Sequence, residues 1–293
     1  MKISVVIITR NRGDKLKNCL LSLTNQSIKP DEVIVIDNDS SDNTKKTVLG
    51  FKKNLLIKYC LEKKIGIPYV RNRGLKEVNN EIISFTDDDC QANKEWIKEI
   101  KKSFKQDRKL GFLVGGSFEK KANNLFSIVT IANHNRWFFK RIAINNLIKD
   151  GSCFDTKNAA VRKAVIDKNK LKFSLIFSKY SCGEDTDFGM QLIKLNVKGI
   201  YNSKMKVIHD EPDSWYQFLN QAFRRGRANY VNRMKWRIKM SPRKNPPSRW
   251  QKWYKDWMMF KNRAILKRLV CFLLFKAYIK ISLLGRWYEK NYG

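Results

Sequence analysis

Two groups of acidic side chains follow short runs of β-branched residues in the first third of the chain. Asp37 follows one such run, and Asp87, Asp88 and Asp89 follow another. A divalent cation held by Asp87 and Asp89 would bridge a diphosphate, and Asp37 would accept hydrogen bonds from a base or ribose. Three adjacent carboxylates raise each other's pKa unless a cation lies between them. The alternatives are a solvated acidic turn that caps the next helix and, for Asp37, an ordinary turn residue.

A further acidic pair, Glu184 and Asp185, follows Gly183 and precedes a segment with the apolar spacing of a helix. A carboxylate in a loop at a helix start can act as a general base. The alternative is that both acids only stabilise the N-terminus of the helix through its dipole.

The chain has two histidines. His209 closes the apolar run 205–208 and is a candidate for completing a metal site, although a lone histidine is weak support for one. His134 lies in a polar insertion, and we expect no functional role for it.

Apolar runs and helical spacings alternate along the first 120 residues. The pattern predicts strands at 3–9, 33–36, 55–61, 81–86 and 111–116, and helices at 13–25, 66–78 and 93–104. This alternation is typical of an α/β fold with a mostly parallel sheet flanked by helices. Ligands bind beyond the carboxyl ends of strands in such sheets, which is where the acidic groups lie. The glycine-rich phosphate loops of dinucleotide-binding and P-loop proteins are absent from the sequence.

Six motifs in order resemble those of family 2 glycosyltransferases with the GT-A fold, a Rossmann-like α/β fold. The motifs are SVVIITRNR at 4–12 with VIVIDN at 33–38, IGIPYVRNRGL at 65–75, FTDDD at 85–89, NAAVR at 158–162, GED at 183–185, and the arginine-rich FLNQAFRRGRA at 218–228. Each motif alone is weak, so the resemblance rests on their order and spacing over nearly four fifths of the chain.

The resemblance implies a role for each matching residue. The implied donor-binding residues are Thr9, Asn11, Arg12, Asp37, Asn38, Arg71, Asp87 and Asp88. The implied metal ligands are Asp89, Asp87 and His209, with Asp89 the principal one. Asp185 is implied as the catalytic base with Glu184 as its neighbour, and Asn158 and Ala159 as acceptor-side residues. Two positions depart from the family pattern: Arg10 replaces an aromatic or small residue, and Cys90 stands where a third acid is common.

The implied reaction moves a sugar from a nucleotide-diphosphate donor of the UDP or dTDP type to a hydroxyl of a glycan or lipid-linked acceptor, as in the biosynthesis of cell-envelope polysaccharides. Mn²⁺ or Mg²⁺ would neutralise the leaving diphosphate while Asp185 accepts the proton of the acceptor, and one displacement inverts the anomeric centre. The alternatives are a non-catalytic relative that binds nucleotide-sugars or glycans, and a basic nucleic-acid-binding protein.

The charge of the chain is concentrated at its end. The 293 residues include 60 Lys and Arg against 27 Asp and Glu, net +33, and residues 214–293 alone hold 20 basic and two acidic side chains with six of the eight Trp. Such unevenness argues against a protein that binds nucleic acid along its whole length. The segment 264–284 combines a broad apolar face with Lys and Arg, which is typical of an amphipathic helix on an anionic membrane surface. The alternative is a helical pair packed on the catalytic domain.

These patterns predict three parts: a donor-binding half at 1–120, an acceptor-side half at 121–240 and a basic amphipathic helical tail at 241–293. A proline-rich hinge is predicted at 241–247, and a helical insertion or lid at 123–149. The content of hydrophobic residues, 43%, excludes a disordered chain. Six scattered cysteines predict reduced thiols, and the sequence has no evident signal peptide or long apolar span. We therefore expect a cytoplasmic protein, peripheral on the inner face of the membrane.

Overall fold

A computed structural model describes residues 1–119, 124–139, 142, 146–212, 214–237 and 248–293. Within these residues the strands and helices follow one another as β1 Ile3–Thr9, α1 Gly13–Thr24, β2 Glu32–Asp37, α2 Thr44–Gly50, β3 Ile57–Leu61, α3 Ile67–Glu77, β4 Ile82–Asp87, β5 Cys90–Ala92, α4 Trp96–Gln106, β6 Phe112–Glu119, α5 Leu125–Phe138, β7 Ala159–Arg162, α6 Lys163–Asn169, α7 Glu184–Lys194, β8 Gly199–His209, α8 Trp215–Lys235, α9 Arg249–Met258 and α10 Ile265–Tyr292.

The described residues form two compact units. Unit 1 is drawn from Met1–Lys120 and Arg141–Asp210, and unit 2 from Lys121–Lys140 and Glu211–Gly293. This division differs from the predicted boundaries near 120 and 240. The reason is that α10 packs against α8 and α5, so the tail shares a core with the arginine-rich helix and with the predicted insertion. The hinge predicted at 241–247 lies outside the described residues.

Unit 1 is built on an eight-stranded sheet in the order β3-β2-β1-β4-β7-β6-β8-β5. Strands β3, β2, β1 and β4 run parallel, as do β6 and β8, whereas β7 and β5 pair antiparallel with their neighbours. The predicted α/β class with a mostly parallel sheet is confirmed. The central strands β1, β2 and β4 are buried almost throughout, which is why their sequences are continuous apolar runs and not alternating ones.

Unit 2 is helical. Its core consists of buried residues from α5, α8, α10 and the turn after α9: Ile128, Val129, Phe218, Ala222, Phe260, Cys271, Phe272, Phe275 and Tyr278. The two acids of 214–293 are both buried ion-pair partners. Asp256 lies 2.6 Å from a nitrogen of Arg136 and 2.6 Å from Nζ of Lys276, and Glu289 lies 2.7 Å from Nε of Arg227. They therefore hold the cationic helices of this unit together. No helix among the described residues combines the length and apolarity needed to cross a bilayer.

Candidate active site

Three of the predicted donor-binding residues lie side by side at the carboxyl ends of adjacent strands. Parallel pairing places Thr9 of β1 opposite Asp37 of β2, and Ile8 of β1 opposite Asp87 of β4. Thr9 and Asp37 are both buried, and Asp87 is partly exposed. The three residues thus lie together at the sheet edge where the strand-end rule predicts a ligand, and binding there stays a prediction.

Asp37 is held by donors from the protein itself. Its Oδ1 accepts from the backbone N–H of Ser40 (3.0 Å) and from the Ser40 hydroxyl (2.5 Å), and its Oδ2 accepts from the Tyr59 hydroxyl (2.7 Å). Burial and this bond raise the pKa of Tyr59, so its hydroxyl stays a donor. Oδ1 thus accepts two hydrogen bonds, whereas Oδ2 accepts one and keeps a second acceptor direction for a ligand. No sequence pattern pointed to Tyr59, because its contact with Asp37 depends on the pairing of β3 with β2.

Two predicted donor-binding asparagines shape the surrounding loops. The amide of Asn38 donates to two backbone carbonyl groups of the loop after β3, and its oxygen accepts from the N–H of Gly66. Asn11, with a φ of 52°, accepts from the N–H of Ser41. These contacts fix the loops beside Asp37, while contact of either asparagine with a nucleotide stays a prediction.

Two arginines form ion pairs with the three aspartates. Arg12, at the start of α1, donates from Nη1 to Asp88 Oδ1 (3.1 Å) and to Asp89 Oδ2 (3.0 Å). Arg71 of α3 donates from Nη2 to Asp87 Oδ1 (3.1 Å). Burial raises the pKa of Asp88 to about 6, with Asp89 and Asp87 adding to the shift and Arg12 opposing it. The cluster is therefore buried and anionic, not the solvated turn of the alternative interpretation.

Asp89 faces His209, with 3.3 Å between Oδ1 and Nε2. Burial alone would raise the pKa of Asp89, but His209 and Arg12 outweigh it and lower this pKa, so the carboxylate stays ionised. Cys90 lies opposite His209 in the antiparallel pairing of β5 with β8, and ligand atoms of Asp89, Cys90 and His209 all lie within 4.8 Å of one another. Burial raises the pKa of the Cys90 thiol, which is therefore neutral and a poor ligand for Mn²⁺ or Mg²⁺.

Of the predicted metal ligands, Asp89 and His209 thus lie together, whereas Asp87 is bonded to Arg71 and lies outside that group. An ionised carboxylate beside an imidazole, with two more carboxylates in the preceding residues, is a donor set that suits Mn²⁺ and, through its oxygens, Mg²⁺. The residues present fit such an ion.

The predicted catalytic pair occupies the start of α7 and divides into two roles. Glu184 is buried, and its Oε1 lies 3.3 Å from Nε of Arg71, so it orients that arginine. Burial raises the pKa of Glu184. The adjacent Asp185 is partly exposed, and burial, then Glu184 and Asp155, raise the pKa of Asp185 to about 7. A carboxylate with that pKa is suited to accept a proton near neutral pH.

The predicted acceptor-side residues are buried instead. The Asn158 amide donates to the carbonyl groups of Gly116 and Met205 and accepts from Nε1 of Trp96, and its side chain has no exposed surface. Ala159 is equally buried within the sheet. This geometry does not support a direct acceptor contact by either side chain. The reason is that β7 lies between β4 and β6, where its residues complete the core.

Comparison with known proteins identifies the fold. A mannosyltransferase from Pyrobaculum calidifontis, solved in complex with GDP-Man and Mn²⁺, superposes with a TM-score of 0.66 at 14% identity, covering 99% of this chain and 88% of that one. Residues 1–349 of Staphylococcus aureus TarS superpose with a TM-score of 0.59 at 17% identity, covering 99% and 91%. These likenesses confirm the GT-A fold.

Sequence comparison gives the family. The poly(ribitol-phosphate) β-N-acetylglucosaminyltransferase TarP of S. aureus is 29% identical over 66% of this chain and 57% of its own length. The GalNAc(5)-diNAcBac-PP-undecaprenol β-1,3-glucosyltransferase of Campylobacter jejuni is 40% identical over 30% of this chain and 29% of its own length. The matches thus span between about a third and about three fifths of these relatives. Residues 4–169, more than half of the chain, match the profile of glycosyl transferase family 2, and the chain belongs to that family.

Proposed function

We propose that this chain transfers a sugar from a nucleotide-diphosphate donor to a hydroxyl group, with inversion at the anomeric carbon. The observation that carries the proposal is the contact path from Asp87 through Arg71 to Glu184, which is adjacent to Asp185. This path ties a partly exposed carboxylate of raised pKa to the strand ends that carry the predicted donor site. Family membership supplies the reaction class that such an arrangement serves.

The proposed reaction needs one proton acceptor and one leaving group. Asp185 takes the proton of the acceptor hydroxyl as that oxygen attacks the anomeric carbon. The bond from this carbon to the diphosphate oxygen breaks, and the nucleoside diphosphate leaves with the electron pair. Attack from the opposite face inverts the centre in a single displacement, without a covalent sugar–enzyme intermediate.

A divalent cation is part of the proposal. Asp89 and His209 would hold it, and Asp87 could add its Oδ2, because Arg71 contacts only Oδ1 of that carboxylate. When bound, Mn²⁺ or Mg²⁺ neutralises charge that develops on the leaving diphosphate. The ion pairs of Arg71 with Asp87 and Glu184 involve no cation, so they would hold these two carboxylates in place before the ion binds.

The donor and acceptor are proposed from chemistry and from relatives. We propose a UDP- or dTDP-type sugar as donor and a glycan or lipid-linked hydroxyl as acceptor, within cell-envelope polysaccharide synthesis. The names of two relatives support this class, because one acts on poly(ribitol-phosphate) and the other on an undecaprenol-linked glycan. The TarS structure in complex with UDP-GlcNAc supports a UDP-sugar donor. Because the mannosyltransferase was solved with GDP-Man, GDP-sugars are the first alternative donors to test.

A donor panel tests the function. UDP-, dTDP- and GDP-sugars are incubated with the full chain and Mn²⁺, and release of nucleoside diphosphate is measured with and without glycan acceptors. Turnover of one donor, lost in Asp185→Asn, is the expected result. Donor binding without turnover favours the non-catalytic alternative. Binding of nucleic acid with no donor binding favours the alternative of a basic nucleic-acid-binding protein.

We also propose that α10 meets an anionic membrane surface. One face of α10 is buried in unit 2, and the opposite face exposes apolar side chains at helical spacing: Leu266, Leu269, Leu273, Leu284 and Trp287. Lys267, Lys280 and Lys290 of the same helix are exposed and pair with no carboxylate in the described part of the chain. Exposed apolar side chains beside unpaired cations are typical of interfacial helices. The alternative of a helix packed on its neighbours thus explains the buried face of α10 but not its exposed apolar face.

A further inference from the structure

The two arginines of the acidic cluster differ in how firmly they are held. The Arg71 side chain is 4% exposed and bonded to Asp87 on one side and Glu184 on the other. The Arg12 side chain is 50% exposed. A buried guanidinium that leaves its partners strands charges in a low dielectric, whereas a half-exposed one exchanges its partners for water at little cost. Arg12 is therefore the cation of this cluster that can leave.

Arg12 contacts the carboxylate of Asp89, the principal proposed metal ligand, and that of its neighbour Asp88. A single nitrogen, Nη1, bridges Asp88 Oδ1 and Asp89 Oδ2, while the other oxygen of Asp89 faces His209. Both carboxylates are largely buried, with 5% and 11% of their side chains exposed, so they stay in place when the arginine moves. Divalent cations of this type take carboxylate oxygens as ligands, and a guanidinium at the same oxygens repels them. Arg12 and the metal thus compete for one position.

We propose that Arg12 is a displaceable counter-cation: it neutralises Asp88 and Asp89 while no metal is bound, yields Asp89 to a divalent cation, and then offers its guanidinium to the diphosphate of the donor. The backbone of Arg12 stays beside the site, because it joins β1 to α1 and β1 pairs with β4. A planar guanidinium binds two phosphate oxygens at once. The diphosphate step rests on the proposed function, whereas the competition between Arg12 and the cation does not.

The competition is tested by titrating Mn²⁺ alone into the full-length chain, followed by calorimetry and by Mn²⁺ electron paramagnetic resonance. Arg12→Gln is expected to bind Mn²⁺ about tenfold more tightly, since two charge-assisted contacts to the ligands are removed. The matched control is Lys17→Gln, which removes one positive charge from an exposed position of the same helix. It should change Mn²⁺ affinity by no more than about twofold.

The diphosphate step is tested with UDP at saturating Mn²⁺. Arg12→Gln should bind UDP about tenfold more weakly, the opposite sign to its effect on the metal, because a charge-assisted phosphate contact is lost. Unchanged or weaker Mn²⁺ binding in Arg12→Gln, equal tightening in Lys17→Gln, or no Mn²⁺ binding by either form would overturn the competition. Unchanged UDP affinity would overturn the second step. Because the metal titration contains no sugar donor, failure of sugar transfer leaves its result interpretable.

Discussion

Arg71 of α3 and Glu184 of α7 form a buried ion pair, with 3.3 Å between Nε and Oε1 and 4% of each side chain exposed. The pair joins α3, which lies beside the predicted donor site, to the helix that carries Asp185. Replacing Arg71 with Met keeps the volume but leaves Glu184 and Asp87 without their partner. We expect Arg71→Met to lower the free energy of unfolding by about 3–5 kcal/mol, measured by urea denaturation.

The control for this prediction lies two residues away on the same helix. Arg73 pairs with Glu77 at 2.6 Å, but 42% of the Arg73 side chain is exposed. Arg73→Met should therefore cost less than about 1 kcal/mol. Equal losses in the two variants would mean that burial does not set the contribution of the Arg71 pair.

Asp185→Asn tests the general base separately from the donor site. The side chain keeps its size, so donor binding should be retained while transfer falls by about 10²–10⁴-fold. The measurements are UDP titration and the initial rate of transfer. Asp167, an exposed acid paired with Lys163 on α6, supplies the control, and Asp167→Asn should leave the rate unchanged. A rate for Asp185→Asn near that of the control would remove Asp185 from the reaction.

The pKa of Asp185, about 7, predicts the pH dependence of both rate and stability. The rate should rise with pH as Asp185 loses its proton and level off above about pH 7. Stability should move the other way. Between about pH 4 and 7 the folded chain holds a proton that the unfolded chain releases, so the unfolding free energy contributed by this group falls as pH rises. Asp185→Asn should flatten that fall, and identical stability profiles for the two proteins would contradict the raised pKa.

The strand ends of unit 1 were predictable because their physical origin is local. A strand buried on both faces needs a continuous apolar run, and its polar successor residue must lie at the sheet edge, so Asp37 and Asp87 could be located from the sequence alone. The contacts of Tyr59 with Asp37 and of Trp96 with Asn158 join segments 22 and 62 residues apart. They depend on sheet register, which a single sequence does not specify.

The C-terminal end of α10 was not predictable from the local sequence pattern. The apolar spacing predicts this helix over 264–284, ending one residue before Gly285. The helix instead continues to Tyr292. A Cβ at Gly285 would lie 2.2 Å from the carbonyl oxygen of Phe223 on α8. Gly285 is therefore there for close approach of two helices, a tertiary cause without a local signature.

Gly226 of α8 lies where α8 and α10 of unit 2 approach each other closely. A Cβ at Gly226 would lie 1.9 Å from the carbonyl oxygen of Ser282, a backbone atom that cannot move alone. Gly226→Ala should therefore destabilise the protein by about 1–3 kcal/mol, measured by thermal or urea unfolding. Gly50, at the end of α2, has nothing within 4 Å of its Cβ position, so Gly50→Ala should be neutral or slightly stabilising. A neutral Gly226→Ala would show that α8 and α10 are not in this close contact.

The exposed face of α10 predicts binding to anionic lipid. Changing Leu269, Leu273 and Leu284, which are 43–58% exposed, to Ser removes apolar surface without emptying the core of unit 2. We expect the full chain to float with vesicles that contain phosphatidylserine, and the triple variant to remain largely unbound, since insertion of the apolar face supplies part of the binding energy. Leu56→Ser, at a site 74% exposed in unit 1, is the control and should float as the parent does. Binding to neutral vesicles should be weak, because each Lys or Arg near an anionic leaflet contributes about 1 kcal/mol.

Flotation of the triple variant at the parent level would assign membrane binding to another surface. Salt-sensitive DNA binding without flotation would make nucleic acid the partner of the tail.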